Sequence, residues 1–268
     1  MTFRIMTIEL EREIIKAYKT GKPASEILHT LPFKTTKTIY DVLRRNNIDI
    51  RDQTDYKYER DSTYFSKINT SNKAYILGLM ITDGWLIKDR DAVGFSSTDR
   101  VLTEFLCTEL KIDFSHIVKT NQHKDNHQTG YQIQVYDKMI KSDLIRLGFT
   151  CPKSFHEFLP YIDSQLSPDL IRGIIDGDGC IHKLSNVEQA DIIIYSGSVL
   201  FLKQIGSCID YHLSIPTPNI LRSSSIFKIY YSRKDYVEDI GRWIWNGNFC
   251  LDRKKSIWEK YCGKSNSN

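Results

Sequence analysis

Apolar and polar positions along the chain follow two periods, and the stretches that share a period come in pairs. From Lys73 to Ile87 the apolar positions Ile76, Leu77, Leu79 and Met80 recur at helical spacing, with Gly78 inside the run and Asp83-Gly84 closing it. From Asp169 to Ile181 the pattern returns: Leu170, Ile171, Ile174 and Ile175 at matching places, Gly173 inside, Asp178-Gly179 at the close. A glycine inside a helix costs about 1 kcal/mol relative to alanine, so two at matched positions require a reason. Four residues further on stand Thr82 and Gly177, and small residues four apart line one face of a helix. Two such faces predict helices packed backbone to backbone, with Asp83 and Asp178 side by side at their C-terminal ends.

Around each of these helices the period changes to two. After the first, Ala92–Ser97 is predicted as a strand, with Ser97 or Thr98 capping a helix over Asp99–Lys111. Strands over Ile117–Asn121 and Tyr131–Tyr136 then flank a polar segment, and a helix over Lys138–Leu147 closes at Gly148. After the second, Asp191–Ser196 is a strand, and Gly197-Ser198 caps a helix to about His212. A hairpin joins Ile220–Arg222 to Phe227–Ser232, and Lys234–Trp245 is a helix. Aligning Phe95-Ser96-Ser97 with Ile194-Tyr195-Ser196, and Val135-Tyr136 with Tyr230-Tyr231, predicts a duplicated α-β-β-α-β-β-α unit. The fold class is α+β, with one repeat over 67–160 and the other over 161–268. In the strand at Tyr131, Ile133 and Val135 alternate with Gln132 and Gln134, so one sheet face is apolar and the other carries amides.

Residues 1–52 read separately, as a small all-α domain of three short helices: Glu9–Tyr18, Ala24–Leu31, and a third beginning after Thr35 or Thr36. The third turns Ile39, Val42 and Leu43 inward and Thr36, Lys37, Tyr40, Arg44 and Arg45 outward, the pattern of a helix-turn-helix DNA-binding module. The following stretch is charged, tyrosine-dotted and aperiodic, and residues 53–66 are read as a linker.

Composition narrows the partners. Thirty-seven Lys and Arg against 33 Asp and Glu leave a net charge of +4, compatible with nucleic acid. No apolar run reaches the ~18 residues of a membrane span, and the N-terminus lacks the apolar core of a signal peptide. The six cysteines show no metal-binding spacing and are expected as free thiols. The expectation is an intracellular monomer without a membrane partner.

Asp83 and Asp178 together pose an electrostatic problem. Each carboxylate sits at the unfavourable end of a helix dipole, and each repels the other. A divalent cation between them resolves both conflicts, since hard cations take carboxylate oxygens. The segments ILGLMITDG (Ile76–Gly84) and IRGIIDGDG (Ile171–Gly179) resemble the two motifs of a single-chain LAGLIDADG homing endonuclease. The second keeps both acidic positions (Asp176, Asp178); the first has Ile81 at the earlier one and keeps Asp83.

The resemblance implies the LAGLIDADG fold with antiparallel DNA-binding sheets, double-stranded DNA as partner, and Mg²⁺ or Mn²⁺ as cofactor. It implies Asp83 and Asp178 as metal ligands, joined by the carbonyls of Thr82 and Gly177. It also places one lysine of each half near the reacting phosphate, matching Lys153 and Lys254, with Lys255 competing in the second half. On the sheets, Gln132 and Gln134 suit adenine, while Lys119, Arg222 and Lys228 suit guanine or phosphate. The implied activity is sequence-specific double-strand cleavage at a long asymmetric site. The alternative is a non-cleaving DNA-binding regulator or an RNA-splicing maturase on the same fold.

Overall fold

The computed structural model describes residues 6–20, 22, 24–33, 35–48, 50, 59–120, 128–151, 158–183 and 189–262. The chain divides into two units, Met1–Tyr58 and Glu59–Asn268.

The first unit holds helices α1 (Ile8–Lys19), α2 (Ala24–His29) and α3 (Thr36–Arg45). Thr7 caps α1, its hydroxyl accepting from the Leu10 N–H at 3.2 Å. Ile14, Tyr18, Ile27, Ile39, Val42 and Leu43 form its core. Thr35 stands at the N-cap of α3 in extended conformation, without a side-chain cap bond.

The second unit is built on α4 (Ser71–Asp83) and α7 (Ser167–Asp178). Every residue from Ala74 to Ile81, and from Ser167 to Asp176, is buried. Helices enclosed on all sides belong to a core rather than a surface. They cross at their glycines. A Cβ built on Gly78 would overlap the Leu170 carbonyl and lie 2.9 Å from the Gly173 Cα; one on Gly173 would overlap the Tyr75 carbonyl.

Each helix runs into a four-stranded antiparallel sheet. The first contains β1 (Gly84–Leu86), β2 (Ala92–Ser97), β3 (Val118–Thr120) and β4 (Gly130–Tyr136), in the order β1-β2-β4-β3. The second contains β5 (Gly179–Lys183), β6 (Ala190–Ser196), β7 (Leu221–Ser223) and β8 (Ile226–Tyr231), in the order β5-β6-β8-β7. Helices α5 (Arg100–Glu109) and α6 (Lys138–Arg146) serve the first repeat; α8 (Val199–Leu213), α9 (Lys234–Ile244) and α10 (Asp252–Tyr261) serve the second. The expected duplicated architecture is present.

The ladders set the equivalence between repeats. Gly84 pairs with Phe95 as Gly179 pairs with Ile194, so Phe95-Ser96-Ser97 does correspond to Ile194-Tyr195-Ser196. Val93 pairs with Val135 and Ile192 with Tyr231, which makes Tyr231 the counterpart of Val135 and Tyr230 that of Gln134. The expected match of Val135-Tyr136 with Tyr230-Tyr231 is therefore one residue out of register. Burial explains it: Tyr231 is enclosed in the core, whereas Tyr230 is exposed, as Gln134 is.

The end of the segment read as a linker is packed from residue 59 onward. Tyr64 and Phe65 are buried, and the Tyr64 hydroxyl donates to Glu109 at 2.8 Å. Arg60 and Ser62 donate to Asp137 at 2.6 and 2.5 Å, while Asp137 caps α6 by accepting from the Ile140 N–H. Burial works to raise the Asp137 carboxyl, but these hydrogen bonds hold it below the usual carboxylate range.

Candidate functional site

Asp83 and Asp178 are the last residues of α4 and α7, and the glycine after each turns into extended backbone that begins β1 or β5. The two helix ends are in contact. A Cβ on Gly177 would overlap the Thr82 hydroxyl and lie 3.2 Å from Asp83 Oδ2, so the bare glycine of α7 leaves room for the end of α4. Thr82 turns its hydroxyl back onto its own helix, donating to the Leu79 carbonyl at 2.9 Å. Asp83 is half-buried and Asp178 exposed.

Behind these ends lies a buried polar network. Asp176 Oδ2 accepts from the Tyr75 hydroxyl and from the Leu251 N–H, both at 2.8 Å. Burial pushes the Asp176 carboxyl up, against those hydrogen bonds and the charge of Lys254. The counterpart of Asp176 in the first motif is Ile81, so Tyr75 of one repeat serves the single inner acid of the other.

Lys254 belongs to this network. Its ammonium donates to the carbonyls of Ile175 and Asp176 at 2.7 Å and Gly179 at 2.8 Å, and the side chain is buried. Burial pulls its pKa down, with Asp176 opposing. The resemblance assigns Lys254 to the reacting phosphate; the structure instead places it on the C-terminal carbonyls of α7, where a cation offsets the helix dipole. Lys255, the competing choice, forms a 3.5 Å ion pair with Glu259 on the surface. Lys153 lies outside the described residues.

A cavity of about 220 Å³ opens beside Asp83. Ser96, Thr98, Asp99, Gly177 and Arg253 line it with Asp83. Arg253 reaches Asp99 with two hydrogen bonds of 2.9 and 2.7 Å. The Arg253 hydrogen bonds hold the Asp99 carboxyl below its usual range, although burial acts the other way. Sequence reasoning did not single out Arg253. Larger clefts of about 520 and 540 Å³ lie around Tyr161, away from both motif acids.

The sheets sort the remaining candidates by face. Gln132 pairs with Ser96 and Val118, and Gln134 with Gly94, on the face turned away from Ile133 and Val135. Lys228, paired with Tyr195 and Leu221, is the counterpart of Gln132 in the second sheet. Lys119 pairs with Tyr131 and Arg222 with Phe227, which puts both on the opposite face, at equivalent places on the edge strands. Gln132 and Gln134 therefore share one face of the first sheet, and Lys228 takes the equivalent place in the second; Lys119 and Arg222 lie on the opposite face of their sheets. The same face as Lys228 also carries Tyr195 and Tyr230, the second of which the out-of-register alignment concealed.

In the first unit, Lys37 and Arg44 are exposed, Arg44 pairing with Asp41 at 3.1 Å. Tyr40 packs against the core, and Thr36 is half-buried.

Among the described residues no cluster of three or more His, Cys, Asp or Glu side chains is arranged for a metal ion. The donor set at the helix ends is all oxygen, two carboxylates with the neighbouring carbonyls. That set suits a hard cation such as Mg²⁺, which keeps several waters and takes one or two carboxylates. No helix among the described residues is long and apolar enough to cross a membrane.

No family model and no curated protein matches the chain. Solved structures do. The homing endonuclease I-WcaI bound to its DNA recognition sequence aligns over 80% of this chain and 96% of that one, at 9% identity and a TM-score of 0.53. The N-terminal LAGLIDADG domain of DUF199/WhiA aligns over 73% of this chain and 93% of its own, at 14% identity and a TM-score of 0.48. I-DmoI in complex with DNA and Mn aligns over 69% and 98%, at 15% identity and a TM-score of 0.41. The duplicated helix-and-sheet architecture is the LAGLIDADG fold.

Proposed function

On this fold, we propose that the chain is a sequence-specific, double-strand DNA endonuclease that requires Mg²⁺ or Mn²⁺ and acts as a monomer. The observation that supports this reading is the contact between the two motif-helix ends, Gly177 of α7 against Thr82 and Asp83 of α4, with an acidic residue closing each helix. Two carboxylates at helix C-termini are unfavourable for stability, and a protein that only binds DNA gains nothing from them. Asp83 and Asp178, with the carbonyls of Thr82 and Gly177, would hold the metal, which supplies Lewis acidity at the scissile phosphate and an activated water.

The rest is the work of the protein itself. The α4–α7 crossing fixes the spacing of the two acids. Lys254 keeps the end of α7 wound, so that Asp178 leaves it in a fixed direction. Gln132 and Gln134 in one sheet, with Lys228 and Tyr230 in the other, read base edges in the major groove. Because the two surfaces differ chemically, the site is long and asymmetric. Residues 1–52 act as a helix-turn-helix extension that lengthens it, through Lys37 and Arg44 on α3. Lys119 and Arg222, on the far side of each sheet edge, are suited to phosphates rather than bases.

The test is incubation of the purified chain with a randomised duplex pool and Mg²⁺, followed by sequencing of the ends. Recovery of one consensus cut on both strands is the expected result. Selective retention of a duplex that is never cut, with Mg²⁺ or with Mn²⁺, would establish the non-cleaving alternative.

A further inference from the structure

The cavity beside Asp83 contains a feature that its own half of the molecule does not explain. Asp99 occupies the N-cap of α5, where an aspartate ordinarily accepts from the first helical N–H groups. It makes no such bond. Both carboxylate oxygens go instead to Arg253, which arrives from α10 of the other repeat. The strand register makes Ser198 the counterpart of Asp99, since Ser97 corresponds to Ser196. Ser198 does cap its helix, accepting from the Phe201 N–H at 3.2 Å. One repeat thus has a conventional cap, and the other has given its cap to hold a guanidinium at a cavity wall.

An exposed ion pair contributes little to stability, and the Arg253 side chain is 57% exposed, so a purely structural return is small. The pair does hold a planar cation in one orientation. Arginine has five N–H donors, and Asp99 takes two of them. A guanidinium with donors remaining, at the mouth of a cavity shared with Asp83, matches the geometry of a phosphate.

We propose that Arg253, aimed by Asp99, contacts a phosphate oxygen of the DNA strand served by Asp83. The two strands then depend unequally on the protein: loss of Arg253 impairs one and spares the other. This rests on the nuclease reading, but its phosphate contact is measurable without cleavage.

The experiment uses the full chain and a duplex selected from a randomised pool for retention with Ca²⁺ in place of Mg²⁺. Arg253→Met should reduce the slope of log affinity against log salt by about one phosphate's worth. A single neutral methylphosphonate, scanned along each strand, should abolish the difference between wild type and Arg253→Met at one position on one strand. With Mg²⁺ at saturating protein, Arg253→Met should slow that strand on the order of 10²-fold and leave the other unchanged. Asp99→Asn should keep the salt slope and lose part of the strand bias, and neither variant should shift the unfolding midpoint. An unchanged slope, or equal slowing of both strands, overturns the proposal. If wild type retains a duplex and cuts neither strand, the nuclease reading falls, and the methylphosphonate scan still decides the contact. A wild-type chain that retains no duplex defeats both.

Discussion

The Lys254 ammonium hydrogen-bonds the Gly179 carbonyl at 2.8 Å, one residue beyond the acid at the end of α7. The side chain thereby spans the junction between helix and strand, with two further bonds to Ile175 and Asp176 inside the helix. Replacement by methionine takes that donor from three carbonyls, two of them in buried bonds, and each unsatisfied buried group costs about 1–3 kcal/mol. Lys254→Met should therefore lower stability by on the order of 3 kcal/mol in urea unfolding. Lys255→Met, which loses only a surface pair, should stay within about 0.5 kcal/mol of wild type. Equal effects would return Lys254 to the role of a surface phosphate contact.

Removing either motif acid has the opposite signature. Asp83→Asn or Asp178→Asn relieves like charges and an unfavourable dipole, so each variant should be as stable as wild type or slightly more so. Each should bind the selected duplex and fail to cut both strands. A gel shift and a cleavage assay on the same DNA decide the matter; wild-type double-strand cutting by either variant sinks the assignment of the acids as metal ligands.

The helix crossing tolerates no side chain. At Gly173 an added Cβ would meet the Tyr75 carbonyl, a backbone atom that cannot swing aside. Gly173→Ala should cost about 1–3 kcal/mol by overpacking, outweighing the ~1 kcal/mol that alanine gains inside a helix. Chemical denaturation measures the sum, and a net stabilisation would mean that the helices separate there without penalty.

Acid should loosen the second unit through Asp137. Its carboxyl is held below the usual range by Ser62, Ile140 and Arg60. A group whose folded pKa is depressed contributes stability above its unfolded value, about 3.9 for aspartate, and loses it as pH falls through the folded one. Asp137→Asn should cost about 1.5–3 kcal/mol at neutral pH, because Arg60 and Ser62 lose a charged acceptor, and flatten the decline in stability below about pH 4. A variant with the wild-type acid profile would exclude this carboxylate as the cause.

Deletion of residues 1–52 tests the extension. The truncated chain should protect a shorter stretch at one end of its duplex, bind more weakly and show a shallower salt dependence. An unchanged footprint with an unchanged slope would make the segment a structural appendage.

The paired motifs were legible because each residue type in them answers a packing demand. Gly78 and Gly173 allow contact, the apolar positions fill the core, and the acids end the helices. Strands β1 and β5 were harder to see, since each begins at the glycine directly after its helix and leaves no turn signal between them. Helix α10 was hidden by its charge: its inward face includes a lysine that finds carbonyls instead of water. Arg253, Lys254 and Lys255 are three basic residues in a row, alike in sequence. A helix turns about 100° per residue, and that turn sends the first to Asp99, the second into the interior and the third to Glu259. Tertiary placement alone separates them.

The enclosure of α4 on all sides has a consequence for the chain as it is made. Most of what covers α4 is α7, and α7 leaves the ribosome roughly 95 residues later. At ~5–20 residues per second, α4 waits on the order of 5–20 s with its apolar surface uncovered. The first repeat is therefore expected to complete its packing only once α7 has emerged. Nascent chains stalled after residue 160 should bind a dye that reports exposed apolar surface, and chains released at full length should not.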